Sequence, residues 1–269
     1  MQKAYDVILA PNPSLMTGPG TNTIVLGGGV EGATVIDPAI EDTEYLDSII
    51  QAGAERGDIR RILITHGHPD HIGGAVALRK RLGIYIYAFS REGVPFADEE
   101  VADGVEFPAG DDRLIALHTP GHRFDHLSFL LQKRRTLFAG DLISGITTNV
   151  IAPPDGDMLD YLNSLKRLQE MDISEIVPAH GPTITDAQAK ISEYIQHRML
   201  REQQVIQTLE VLSPSVTIAE MVYRIYVDVD PKLHPIAAWS VKAHLIKLER
   251  EGLVEKLEDD RWALVRPTA

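Results

Sequence analysis

Residues 63–74 read LITHGHPDHIGG and place three of the chain's ten histidines within six positions, directly after an apolar run. His66 and His68 are two residues apart, so in an extended loop their side chains can point to the same side. Asp70 and His71 follow Pro69 and can face a second direction. A cluster of imidazole and carboxylate donors in this order is typical of a metal-binding loop.

The same arrangement recurs at three other points of the chain. Each time an apolar run stops, glycine lies nearby, and a histidine or aspartate appears: His122 after LIALHTPG, Asp141 after TLFAG and His180 after EIVPA. Glycine lets the backbone turn sharply enough to aim such a side chain inward. Because the carboxyl ends of strands line the ligand crevice of open α/β sheets, we expect the four loops to converge.

Together these loops offer five imidazoles and two carboxylates as metal donors, namely His66, His68, Asp70, His71, His122, Asp141 and His180. We predict that the first two histidines and His122 hold one ion. Asp70, His71 and His180 then hold a second ion, and Asp141 bridges the two. The chain has no cysteine, which excludes thiolate sites. The donor set suits two Zn²⁺ ions best and tolerates iron or manganese.

A pair of ions in such a site predicts hydrolytic chemistry. Water bound between two metals ionises near neutral pH, and the bridging hydroxide can attack a carbonyl whose oxygen one metal polarises. Seven donors with an open face for substrate are typical of a catalytic site rather than a closed structural one. We expect Asp70 to be catalytic as well, relaying a proton once the hydroxide is consumed.

The hydrophobic pattern of the first 180 residues predicts an α/β architecture with layered sheets. The expected strands cover 4–10, 23–27, 33–37, 61–64, 84–88, 113–118, 127–131, 136–139 and 175–177. The expected helices cover 42–56, 71–82 and 157–170.

The pattern changes after His180. A long helix is expected over 186–210, two more near 217–227 and 235–251, and a β-hairpin in LVEKLEDDRWALV at the end. Helix, helix and hairpin in this order are typical of a winged helix. We therefore divide the chain into a catalytic domain, 1–190, and a helical linker with a winged-helix-like domain, 191–269.

The four spaced motifs resemble those of the metallo-β-lactamase superfamily. The matching residues run from His66 to His71, from Thr119 to His122, over Gly140-Asp141 and from Ala179 to Gly181. Asp37 matches that family's early aspartate, which usually has a supporting role. The resemblance covers about 15–190 and implies an αββα sandwich.

A narrower resemblance is to the subgroup of lactamase-like proteins with a C-terminal winged helix. It rests on GTNT at 20–23, DYLNSL at 160–165, the stretch 180–204 and the C-terminal tail, which is the winged-helix-like part of 191–269. Animal members are described as mitochondrial endoribonucleases, fungal relatives as thioesterases that release polyketide chains, and many bacterial members only as hydrolases. The subgroup therefore implies the fold more firmly than the substrate.

Composition limits the partners and the location. A formal net charge of −13 weighs against bulk binding to nucleic acid or to anionic membranes. The absence of cysteine fits a reducing compartment, and the first residues lack the pattern of a signal or transit peptide. No apolar stretch approaches the roughly 20 residues that cross a bilayer. We expect a cytoplasmic protein without a membrane partner.

Five further residues need separate interpretation. His118 lies inside a strand and is expected to be structural. His126 either orients a ligand or contacts substrate. His197, Arg198 and Arg201 lie on the long helix, where they either contact a substrate anion or join the two domains by salt bridges; we include all three, with His126, among the substrate-binding candidates.

The favoured hypothesis is a binuclear-metal hydrolase of small-molecule esters or thioesters. The alternative is single-strand-specific endoribonuclease activity at the same site, which the subgroup favours and the net charge disfavours. A metal-responsive regulator ranks third, because residues 191–269 carry ten Lys and Arg against twelve Asp and Glu, a net charge of −2. We expect no binding to duplex DNA. The tail is instead expected to form a lid, a substrate-binding wall or the contact of a homodimer.

Overall fold

The computed structural model describes residues 3–265. The elements of its first part are, in chain order, β1 (Tyr5–Leu9), β2 (Asn22–Gly27), β3 (Ala33–Ile36), α1 (Thr43–Ala54), β4 (Ile59–Leu63), α2 (Pro69–Ile72), α3 (Ala75–Leu82), β5 (Tyr85–Ala88) and β6 (Glu99–Glu100). The six strands form one sheet in sequential order. Strands β1 to β3 pair antiparallel, and β3 to β6 pair parallel.

A second sheet follows. Its elements and the two helices near it are β7 (Glu106–Ala109), β8 (Asp112–His118), β9 (Leu127–Leu131), β10 (Thr136–Phe138), α4 (Met158–Gln169), β11 (Glu175–Val177) and α5 (Ala187–Val211). The strands lie in the order β11-β10-β9-β8-β7, all antiparallel except the β10–β11 pair.

The two sheets pack face to face with helices on both outer sides. Alternation along β2 sends Ile24 and Leu26 into the core between the sheets and Val25 into the core under α1 and α3. On the other side, the second sheet packs against α4 and α5 through residues such as Leu162 and Ile191. The αββα sandwich expected from the sequence is confirmed.

One predicted helix is wrong in detail. The expected helix over 71–82 consists of α2 and α3, separated at Gly73 and Gly74. A Cβ at Gly73 would lie 2.5 Å from the carbonyl oxygen of Ala39, so this break lets the backbone pack closely against the segment after β3. The short strands β6 and β7 were also missed, the first because it has two residues and the second because it contains Pro108.

The C-terminal part has its own sheet and core. It contains β12 (Val216–Thr217), α6 (Ile218–Ile225), α7 (His234–Arg250), β13 (Val254–Lys256) and β14 (Arg261–Leu264), with the strands in the order β12-β14-β13. Met221, Val241 and Trp262 are buried together in its core. The expected winged helix is confirmed, including the hairpin whose turn contains Asp259 and Asp260, both at positive φ.

Helix α5 belongs to both parts. Ile191 and Tyr194 pack in the core of the sandwich, whereas Val205 and Leu209 pack in the core of the winged helix. A domain boundary at 190/191 falls inside this helix and stays a prediction. Within residues 3–265, no helix combines the length and the apolar character needed to span a membrane.

Candidate metal centre

The first group of donors comes from two loops. His66 and His68 follow β4, and His122 follows β8. His66 Nε2 lies 2.8 Å from His68 Nδ1, and His122 Nε2 lies 3.1 Å from the same His68 atom. Three imidazole nitrogens therefore converge on one point, as the spacing of the motifs predicts.

The second group surrounds His180, which follows β11. Its Nε2 lies 3.4 Å from Oδ2 of Asp70, and that oxygen lies 3.8 Å from His71 Nε2. Ligand atoms of a tetrahedral Zn²⁺ site, each about 2.0–2.2 Å from the metal, are separated by about 3.3 Å. The observed distances are close to this separation.

Asp141, after β10, faces both groups. Its Oδ1 lies 3.2 Å from His180 Nε2 and 3.7 Å from His71 Nε2, while Oδ2 lies 3.6 Å from His122 Nε2. One carboxylate thus offers an oxygen to each group. All seven predicted donors lie together.

Hydrogen bonds among the donors leave some of their atoms without a partner, and a metal ion would supply one. Within the described residues, His71 Nε2 and Asp141 Oδ1 are both buried and lack a hydrogen-bond partner. A buried polar atom left unpaired costs about 1–3 kcal/mol. A cation between these two atoms would satisfy both, and histidine nitrogen with carboxylate oxygen is a donor set suited to zinc, iron or manganese.

A second set of contacts, around Asp37, holds the candidate ligands in place. Its Oδ2 accepts hydrogen bonds from His71 Nδ1–H at 2.7 Å and from the Thr65 hydroxyl at 2.6 Å, and Oδ1 accepts one from the Thr65 backbone N–H. The Thr65 oxygen in turn lies 3.0 Å from His66 Nδ1. Because the Nδ1 atoms make these hydrogen bonds, the Nε2 atoms of both histidines face the cluster, where a metal would bind in place of a proton. The supporting role expected of Asp37 fits this geometry.

The charge states also suit metal binding. Burial holds the pKa of His66 well below its ordinary value and, with the charge of His122, lowers that of His68 to about 3. Burial also lowers the pKa of His71, but Asp37 and Asp141 outweigh it and hold that pKa well above 6.5. Two carboxylates therefore favour a positive charge at the point where His71 Nε2 faces the cluster.

Glycine is required beside two ligands. Gly121 has φ +129°, and a Cβ there would lie 2.2 Å from Cα of Tyr161 in α4. Gly140 has φ +50°, and its Cβ would lie 2.7 Å from His126 Nε2. The turns that aim His122 and Asp141 thus exclude larger residues, which gives the glycines of the motifs a steric role.

His126 does not contact solvent, so the expectation that it binds substrate is corrected. The side chain is fully buried, its Nε2 accepts the backbone N–H of Asp141 at 3.1 Å, and Nδ1 lies 3.0 Å from the Thr119 hydroxyl. These contacts fit the alternative, that His126 orients a ligand, which stays a prediction. His118 is structural as expected, since it stacks on Phe89 and bonds to the carbonyl of Phe124.

The three residues on α5 differ from one another. Arg198 is 2% exposed and donates to the carbonyl of Asn149, so a direct substrate contact is corrected here too. Arg201 bonds to Gln204 and lies over the ring of Tyr226, within the C-terminal part. Within residues 3–265, Arg198 and Arg201 form no ion pair, so the expected salt bridges between domains are wrong for both. Substrate contact by His197 or Arg201 stays a prediction.

Two contributors to the site were missed by sequence reasoning. Asp125 is buried, and its Oδ2 accepts the N–H of Gly67, between the first two ligands, at 2.9 Å. The carbonyl of Val150 accepts the Nδ1–H of His122 at 2.9 Å. A charged residue inside the motif loop HRFDH could have signalled the first, whereas a backbone carbonyl leaves no signal in sequence.

Comparison with known proteins identifies the family. Residues 16–180 match the family model of the metallo-beta-lactamase superfamily. The chain belongs to this superfamily. Residues 217–262 match a second family model, the beta-lactamase associated winged helix domain. The chain is thus a hydrolytic enzyme of the metallo-β-lactamase superfamily, whose fold implies divalent metal ions.

Relatives extend over most of the chain. A beta-lactamase-like protein 2 homolog of Caenorhabditis elegans is 34% identical over 97% of this chain and 90% of its own length. An atrochrysone carboxyl ACP thioesterase of Aspergillus chevalieri is 35% identical over 75% of this chain and 64% of its own. A metallo-beta-lactamase family protein of Thermus thermophilus shares the fold, with a TM-score of 0.78, 21% identity and coverage of 97% and 99%.

Proposed function

We propose that this superfamily member is a binuclear metal-dependent hydrolase of small-molecule esters or thioesters, with zinc as its metal. The observation that carries the proposal is the position of Asp141, whose two oxygens face the two donor groups separately. The thioesterase among the relatives supports an acyl substrate.

Each donor has a defined place in this proposal. His66, His68 and His122 would hold one ion, Asp70, His71 and His180 the other, and Asp141 would be shared. When bound, the ions supply a hydroxide from water at neutral pH and polarise the carbonyl oxygen of the substrate.

Asp70 is the group that handles the proton. Burial raises its pKa, but the hydrogen bond with His180 and the charge of His71 outweigh burial and hold the pKa below its ordinary value. The carboxylate is therefore ionised at neutral pH. Its Oδ2 faces His180, which leaves Oδ1 to take the proton of the nucleophile and return it to the leaving group.

The surroundings of the cluster favour an apolar, uncharged acyl group over a polyanion. Leu15, Met16 and Ile146 are exposed large apolar residues, and the turn that carries the first two reaches Ile146 at Gly18. Ile146 also packs beside Gly181, next to the ligand His180. An apolar chain bound here would bury part of this surface, at about 25 cal/mol per Å².

The arginine next to His122 offers little to a phosphate. The guanidinium of Arg123 lies 2.8 Å from Asp125 and 2.9 Å from Asp155. Two carboxylates already compensate its charge, so binding a polyanion there would require breaking an ion pair. This pairing supports the acyl proposal over RNA cleavage.

A parallel activity screen tests the proposal. Zinc, manganese and iron forms of the enzyme are offered a thioester, a lactone, a β-lactam and labelled single-stranded RNA, with His68→Ala as the inactive variant and His234→Ala, in α7, as the matched control. We expect thioester or ester cleavage that only His68→Ala abolishes. RNA cleavage lost in His68→Ala, without acyl hydrolysis, would overturn the proposal. Full activity and full metal content in Asp70→Asn would exclude the proton relay.

A further inference from the structure

Two side chains of α5 hold the segment 144–150, hereafter the 144–150 loop. The hydroxyl oxygen of Tyr194 accepts the N–H of Ser144 at 2.9 Å and lies 2.8 Å from the carbonyl oxygen of Thr147. One turn further along α5, Arg198 donates from its guanidinium to the carbonyl oxygen of Asn149. Both ends of the loop are therefore fixed to a helix that continues into the winged helix.

The 144–150 loop in turn contacts two of the seven donors. The side-chain amide of Asn149 donates to the backbone carbonyl of Asp141, and the carbonyl of Val150 accepts the Nδ1–H of His122. The second bond fixes the tautomer of His122, because a proton held on Nδ1 leaves Nε2 free for a metal. A shift of residues 149 and 150 would therefore disturb the shared carboxylate and one imidazole together.

Burial of the charged Arg198 side chain by itself destabilises the folded protein. The side chain is 2% exposed, and within residues 3–265 it forms no ion pair with a carboxylate. Its Nε has no hydrogen-bond partner, and the guanidinium lies 5.0 Å from the ring centre of Tyr161. A buried cation without a paired anion is unfavourable for stability. Packing alone does not account for an arginine here, whereas a charge-assisted bond to the loop does.

We propose that Arg198 is a positioning residue of the metal centre, acting through the 144–150 loop on His122 and Asp141. The inference rests on the proposed metal centre and assigns part of its metal affinity to α5. Helix α5, which continues into the C-terminal part, thereby contributes to the site without supplying a ligand.

The test compares Arg198→Met with wild type and with Arg79→Met in the full chain. Methionine keeps an apolar stem and removes the guanidinium. Arg79 is the control, since it also donates to a backbone carbonyl, that of Phe96, but it lies on α3 away from the loop, where it also pairs with Asp98. The readouts are affinity for Zn²⁺ and Co²⁺ by chelator competition, the absorption spectrum of the Co²⁺ form, and the melting temperature of the metal-free protein.

Loss of a contact that orients a ligand weakens metal binding about 10–100-fold. We expect this loss and an altered Co²⁺ spectrum in Arg198→Met, with wild-type values in Arg79→Met. Arg198→Lys, which keeps the positive charge and can still donate to one carbonyl, should recover part of the metal affinity that Arg198→Met loses. Asn149→Ala, which removes only the bond to Asp141, should also weaken binding and serves if Arg198→Met does not fold.

Two different results would count against these ideas. Wild-type affinity and spectrum in both Arg198→Met and Asn149→Ala would overturn the positioning role, even if Arg198→Met lowers the melting temperature. Wild-type protein that binds neither ion would overturn the proposed metal centre itself.

Discussion

On the proposed two-metal centre, replacing Asp37 with asparagine should weaken the binding of one ion, although Asp37 is not among the candidate ligands. The carboxylate accepts three hydrogen bonds, from the N–H and hydroxyl of Thr65 and from Nδ1–H of His71. An asparagine has one oxygen and one NH₂ group, so at least one of these donors faces another donor. If the NH₂ group of the asparagine faces His71, the imidazole proton of His71 moves from Nδ1 to Nε2. Nε2 is the atom that has to be free for the metal.

The size of the effect follows from these contacts. Loss of a partner that orients a metal-binding histidine costs about 10–100-fold in metal affinity, or about 1.4–2.8 kcal/mol. The loss of one hydrogen bond to a buried carboxylate costs about 1.5–3 kcal/mol of folding free energy. Asp37 is buried at 2% exposure, so water does not replace the lost bond.

Metal content and chelator competition measure the outcome. We expect Asp37→Asn to fall from two bound ions to one at limiting metal, with the ion held by His71 the one lost. Asp47→Asn, which removes an exposed carboxylate paired with Arg81 on the surface, is the matched control and should keep both ions. Two ions bound at wild-type affinity by a folded Asp37→Asn protein would refute the tautomer argument.

Three further predictions concern stability. Gly121→Ala should lower the free energy of unfolding, measured with urea, by at least about 3 kcal/mol, because the new Cβ would meet the backbone of α4. Gly104 also has a positive φ but open space around it, so Gly104→Ala should lower that free energy by only about 1–2 kcal/mol. Burial and two neighbouring arginines lower the pKa of His197 to about 4 in the folded protein, so as the pH falls below 6.5 the unfolded chain takes up a proton at His197 before the folded protein does. The free energy of unfolding of wild type relative to His197→Gln should therefore decrease from pH 6.5 to pH 4. A difference that stays constant over this range would contradict the argument. Glu202→Gln should cost about 1.5–3 kcal/mol by weakening the buried pair with Lys247, and most of that cost should vanish in a Lys247→Met background.

The sequence predicted which candidate ligands lie together, because these residues follow a local rule. Each donor comes shortly after the end of a buried strand and beside a glycine, so a pattern of a few residues determines both its position and its direction. The winged helix was predictable for a similar reason, since its helices and hairpin have regular periods. Strands of two residues, such as β6, have no period to detect.

What could not be predicted are the contacts between distant segments. The bond from Arg198 to Asn149 joins residues 49 positions apart, and that from Asp125 to Gly67 joins residues 58 positions apart. Nothing near Arg198 in sequence distinguishes it from a solvent-facing arginine of a long helix. Its burial depends on Tyr161 and the 144–150 loop, which only the folded chain brings to it.

These long-range contacts change how the C-terminal part is understood. The net charge of −2 over 191–269 argues against a nucleic-acid role for it. Helix α5 nevertheless places Tyr194 and Arg198 against the loop that orders His122 and Asp141. The same helix packs in the core of the sandwich through Ile191 and in the core of the winged helix through Val205 and Leu209, so it links the loop to both cores. A boundary drawn at residue 190 would therefore separate the metal centre from part of its own support.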